Sequence, residues 1–152
     1  MKTDRTDRIA ILIKKADLVF DKLANPFLAE YDLTASQFRV LKFLYSQPNE
    51  TARIVDIEKD CSITHPTALG LIDQLSRKGF VCKIVNPQDA RSKVISLTDK
   101  AAEMQAKLES VGDRLEDTLT ENLTEQEKKQ LLMLLRKMLK LENRVDLEFR
   151  EV

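Results

Sequence analysis

Apolar side chains return every three or four residues over most of this chain, the spacing that buries one side of a helix. From residue 5 to 30 the run is Ile9, Leu12, Ile13, Ala16, Val19, Phe20, Leu23 and Phe27; Ile11, Leu18 and Leu28 widen it beyond a single face. Pro26 is expected to kink or weaken the last turn of this first helix, because it removes an N–H and crowds the preceding turn. Thr34 and Ser36 offer caps for a second helix with Phe38, Leu41, Leu44 and Tyr45 facing inward, and Gln47-Pro48-Asn49 ends it. A short third helix, at about 52–60, presents Ile54, Val55 and Ile57. The next begins at Thr64 and carries Pro66 in its first turn, where a missing N–H is harmless. It runs through Ala68, Leu71, Ile72 and Leu75 and stops at Gly79.

The period then changes from helical to alternating. Val81, Lys83 and Val85, then Val94 and Ser96, with Ile84, Ile95 and Leu97 on the other face, predict two short strands around Asn86-Pro87-Gln88-Asp89. Thr98 starts a long helix over Ala101, Ala102, Met104, Leu108, Val111, Leu115 and Leu119. Thr124-Glu125-Gln126-Glu127 is a capping-box pattern that opens a last helix striped with Leu131, Leu134, Leu135, Met138, Leu141 and Val145. The expected fold is mainly α with a small β-hairpin wing, in the element order of a winged helix-turn-helix. The implied boundaries are an N-terminal helix over 1–33, a winged helix-turn-helix domain over 34–98 and C-terminal helices over 99–152. The flanking helices hold more leucine than the middle segment can cover, so they are expected to form a homodimer.

Composition narrows the function. Lys plus Arg and Asp plus Glu both number 25, so the net charge is zero and a general basic coat for nucleic acid is excluded. Binding of that kind needs a local patch. Between residues 74 and 98 a single acid, Asp89, stands against Arg77, Lys78, Lys83, Arg91 and Lys93. Only 3 glycines and 4 prolines argue against a loop-rich or all-β fold. No apolar run approaches the roughly 20 residues of a membrane span, and the first residues lack an apolar leader, so a cytoplasmic location without a membrane partner is expected. Cys61, Cys82 and the single histidine, His65, supply neither a disulfide framework nor a zinc set. No metal or cofactor is expected. A Gly-rich phosphate loop, a nucleophile elbow and a Ser-His-Asp set are all missing, which leaves an enzyme reading without support.

Five motifs stand in order along the chain: Leu33-Thr34-x-x-Gln37-Phe38-x-Val40-Leu41, Asp56-Ile57, Thr64-His65-Pro66-Thr67, Leu75-x-x-Lys78-Gly79-Phe80-Val81, and Asp89-x-Arg91 followed by Leu97-Thr98. In these, from Asp32 to Ala101, the sequence resembles the MarR family of winged-helix transcriptional regulators. It departs from the family pattern at Leu69-Gly70, where relatives often carry Thr-Arg, and at Lys83, where Arg is usual. Ala101 replaces a common glycine, and Glu58 stands where alanine is usual.

The resemblance implies a dimeric regulator, most often a repressor, that binds a pseudo-palindromic operator in double-stranded DNA and is released by a signal. The helix from Thr64 would enter the major groove, with Thr64, His65, Pro66 and Thr67 at its leading end and Gly70 allowing close backbone approach. Arg91 would enter the minor groove with Asp89 holding its guanidinium, and Lys83, Ser92 and Lys93 would add contacts. His65 either touches a base or phosphate or titrates as a weak sensor. A small aromatic or phenolic acid is the ligand class that the family suggests, with no residues assigned to it. Cys61 reads as buried filler and Cys82 as the more exposed thiol. The competing reading is a winged helix used for protein contact, with weak or lost DNA binding; Leu69-Gly70 keeps it open.

Overall fold

The computed structural model describes residues 7–86 and 89–141, and only the backbone at 86 and 90–92. Its internal contacts divide the chain into two units, one ending at Leu115 and the other starting at Glu116. The elements are α1 (Ile9–Ala29), α2 (Ala35–Ser46), β1 (Thr51–Arg53), α3 (Ile54–Cys61), α4 (His65–Arg77), β2 (Val81–Asn86), β3 (Asp89–Leu97), α5 (Asp99–Leu119) and α6 (Glu125–Met138).

Threonines set most of the helix starts. Thr34 Oγ1 accepts the Gln37 N–H at 3.3 Å while Gln37 Oε1 accepts the Thr34 N–H at 3.2 Å, a full capping box on α2. Thr124 and Glu127 make the same pair on α6, at 3.2 and 2.9 Å. Thr98 accepts the Ala101 N–H at 3.3 Å and donates its own hydroxyl to the Gly79 carbonyl at 2.6 Å, tying the start of α5 to the end of α4. Each such cap is worth about 1 kcal/mol. α1 continues through Pro26 to Ala29. α4 ends on Gly79, whose φ of 81° suits a residue without a Cβ. There the Phe80 N–H reaches back to the Leu75 carbonyl at 2.9 Å, and the Phe80 ring turns into the core.

The sheet adds a third strand to the expected hairpin. Its order is β1-β3-β2, antiparallel throughout, with Val81 opposite Leu97, Ile84 opposite Val94 and Thr51 opposite Ser96. Residues 52 and 53, read from sequence as the start of the third helix, belong with Thr51 to a strand, and α3 starts at Ile54. The reason is non-local: β3 has a second edge whose N–H and C=O groups need partners, and Ala52 buries its side chain opposite Ile95. β3 also begins earlier than the alternation indicated, at Asp89.

Phe38, Leu41 and Leu44 of α2 meet Ile57 of α3, Ile72 and Leu75 of α4, Phe80 and Ile95 of the sheet and Leu108 of α5 in one buried cluster. Ala24 and Leu28 join it from α1. The N-terminal half of the α1 stripe does not: Ile9, Leu12, Ile13 and Val19 are exposed. α6 has no buried residue at all. Val145 lies outside the described residues. A polar strap fixes α4 against the turn after α1. Buried Gln37 donates its amide to Gln74 Oε1 at 2.8 Å and accepts from Lys78 Nζ at 2.9 Å, and the same ammonium reaches the Asp32 carbonyl at 2.5 Å.

Candidate nucleic-acid interface

The α3–α4 turn begins at Ser62, which takes left-handed backbone angles (φ 53°, ψ 48°). The Ile63 N–H closes it on the Glu58 carbonyl at 3.1 Å. Ile57 and Cys61 anchor α3 from within, and Ala68, Ile72 and Leu75 anchor α4. Two short helices packed through those residues leave the leading end of α4 outside. Thr64, His65, Pro66 and Thr67 are all exposed, so the structure brings this sequence-predicted set together at one helix terminus.

Local hydrogen bonds orient that terminus. Thr64 Oγ1 accepts the Thr67 N–H at 3.4 Å and donates its proton to Thr67 Oγ1 at 3.0 Å, which leaves the Thr67 hydroxyl hydrogen for an outside acceptor. His65 Nδ1 lies 3.4 Å from Glu58 Oε2, the histidine side chain 59% exposed and the glutamate 19%. Pro66 has no N–H, and the Thr67 and Ala68 N–H groups bond to Thr64, so the His65 N–H and the positive end of the helix dipole are what favour an anion here. One turn on, a Cβ at Gly70 would meet nothing within 4 Å, so the protein's own packing does not require glycine there. The space it leaves lies open.

The wing is clasped to α4. Lys83 of β2, expected as a DNA contact, donates to Asp73 Oδ1 of α4 at 2.9 Å. That hydrogen bond and the Lys83 charge hold the Asp73 carboxyl below its usual range, with Arg77 and Lys93 adding to the effect. Asp89 and Lys93 are exposed on β3. The backbone of Arg91 and Ser92 runs along the same strand, and their side chains lie outside the described residues, as does the expected Asp89–Arg91 contact. Sequence reasoning missed Asp73 as a partner of Lys83 and Glu58 as a partner of His65.

Cys61 is buried and Cys82 exposed. Burial pushes the Cys61 thiol up, Asp60 pushes it further and Arg39 opposes both. Among the described residues no three His, Cys, Asp or Glu side chains gather as a metal site, and no helix is long and apolar enough to cross a membrane.

A helix-turn-helix with an antiparallel wing clasped to its second helix is the architecture of winged-helix transcription regulators. Comparison with known proteins narrows the class. The sequence model described as MarR family matches residues 33–93. The chain is 34% identical over 120 residues to the multiple antibiotic resistance protein MarR of Escherichia coli (strain K12), covering 78% of this chain and 82% of that protein. Among solved structures, a mutant MarR from E. coli complexed with operator DNA superposes with a TM-score of 0.80 at 30% identity, over 91% of this chain and 99% of the other. The S. aureus MepR–DNA complex gives 0.79 at 30% identity, over 88% and 97%. The chain belongs to the MarR family and is a MarR-type transcriptional regulator.

Proposed function

We propose that this chain works in the cytoplasm as a homodimeric repressor that holds a pseudo-palindromic operator until a signal shifts the dimer to a geometry that no longer fits it. The observation that carries the proposal is the leading end of α4. Its exposed hydroxyls, imidazole and the His65 N–H stand at one end of a helix whose other end is held by the Gln37–Lys78 strap and which the wing braces through Lys83. The solved complexes of MarR and MepR with DNA support this over a protein-contact module.

In this reading residues 34–98 read DNA, and the helices of 1–33 and 99–152 make the dimer. Thr64, His65, Pro66, Thr67 and Gly70 face the major groove. Asp89, Arg91, Ser92 and Lys93 serve the flank, and Lys83 sets the wing's position as well as facing phosphate. The role is binding, and we assign no catalytic step. A small aromatic or phenolic acid is the class of signal to try first.

The test is a gel shift on DNA from the chain's own upstream region at two salt concentrations. If each subunit neutralises three or four phosphates, the log–log slope of affinity against salt should be about −5 to −7 although the protein is neutral overall. A slope shallower than about −2 overturns the two-wing, groove-bound arrangement.

A further inference from the structure

Glu58 is an acid placed beside a surface that the proposed function gives to DNA, where a carboxylate repels phosphate. Its position is not accidental to the backbone. The left-handed Ser62 and the hydrogen bond from the Ile63 N–H to the Glu58 carbonyl fold the chain back, so that residue 65 returns alongside residue 58. Glu58 Oε2 then lies 3.4 Å from His65 Nδ1. The glutamate is largely covered while the histidine stays open to solvent.

A neutral imidazole carries one N–H and one bare nitrogen, and which is which depends on what faces the ring. A carboxylate oxygen opposite Nδ1 stabilises the proton on that nitrogen, because the alternative sets two lone pairs against each other. The proton then leaves Nε2, which becomes an acceptor. This is the reverse of the tautomer that free histidine prefers. In the major groove only the exocyclic amino groups of adenine (N6) and cytosine (N4) donate, whereas guanine and thymine present acceptors.

We propose that Glu58 determines what His65 reads. It holds the imidazole as the Nδ1–H tautomer and orients the ring, so that Nε2 accepts from adenine N6 or cytosine N4 at one position of each half-site. Glu58 is thus a positioning residue and His65 the contact. The proposal rests on the DNA-reading function above and adds the base class that one side chain selects.

The single histidine of the chain makes the first measurement direct. Nitrogen-15 NMR of the full-length, DNA-free protein at a pH of about 8, above the usual imidazole range, should show protonated Nδ1 and bare Nε2. Glu58→Gln, which keeps an accepting oxygen, should preserve that tautomer; Glu58→Ala should return it to the ordinary one. The second measurement is selection of operator variants randomised within the half-site. Wild type and Glu58→Gln should favour A or C over G or T at one position by about three- to tenfold, the scale of a single hydrogen bond. Glu58→Ala and His65→Ala should lose that preference and keep the others.

An Nε2–H tautomer in the free wild-type protein overturns the proposal. So does a Glu58→Ala variant that only gains affinity for all sequences alike with its base preference intact, since Glu58 would then act as a repulsive charge and nothing more. Failure of the wild type to bind any operator DNA would overturn the DNA-reading function itself, and this proposal with it.

Discussion

The winged-helix middle and the sixth helix are built from the same kinds of side chain and treat them in opposite ways. Leu41, Leu44, Ile57, Ile72, Leu75 and Ile95 are wholly buried, whereas on α6 Leu131, Leu132, Leu134 and Met138 stand between 42 and 57% exposed. α1 shows both behaviours within one helix: Ala24 and Leu28 are sealed in the core while Ile9, about 22 Å before Ala24 at helical rise, is 70% exposed. Amphipathic spacing therefore marks an apolar face and does not say what covers it. The middle fills its core with its own side chains together with Ala24 and Leu28 of α1 and Leu108 of α5. The ends carry apolar surface that a second copy of the chain would cover.

The largest effect should come from charging the open face. Leu131→Glu together with Met138→Glu should turn the proposed dimer into a monomer in sedimentation and lower operator affinity by about 10²–10⁴, the gain that linking two binding modules confers. Helix content should stay near wild type because α6 owes nothing to those side chains for its capping box. A doubly charged variant that remains dimeric and binds normally would break the comparison. The next effect belongs to the middle. Leu44→Ala should cost about 2–5 kcal/mol in denaturant unfolding, since it empties space within a completed core. A much smaller loss would mean that this core is no tighter than the ends.

The smallest effect sharpens the contrast through pH. The Tyr45 hydroxyl donates to the Ala101 carbonyl, holding α2 against the start of α5. Burial first, and then the Glu50 and Glu109 charges, push its pKa up to about 12. The folded chain thus favours the protonated phenol. This contribution is complete below the ordinary tyrosine value of about 10 and is lost as pH rises from there through the folded value. Stability of the wild type should fall along that limb, and Tyr45→Phe should flatten it in unfolding measured against pH. An identical alkaline limb in both proteins would place its origin elsewhere.

Local chemistry was readable and long-range geometry was not. Thr34, Thr64 and Thr124 announce their helices because a cap satisfies N–H groups two or three residues away, and Gly79 announces a stop because its backbone angles favour glycine. β1 was illegible because Thr51-Ala52-Arg53 is too short to show a period and exists through its pairing with Val94–Ser96. The candidate site divides the same way. The Thr64–Thr67 terminus follows from capping. The His65–Glu58 and Lys83–Asp73 pairs depend on a left-handed serine and on the wing's placement against α4, which neither residue type nor spacing reveals.

The short β1 strand has a consequence for how the reading surface comes into being. Because Thr51–Arg53 pairs with the far end of β3, the chain leaves and returns at the same ladder, enclosing α3, α4 and the wing hairpin in a loop tied at its neck. Closing such a loop costs entropy that grows only logarithmically with its length, so the neck can be short and still hold. Contacts between neighbouring helices need little loop closure, whereas the neck joins residues about forty positions apart, so its pairing is expected to form after them. Once tied, it makes the enclosed helices and strands share one opening event instead of fraying separately. Three residues outside the expected DNA contacts thus tie the reading helix and its wing into one loop.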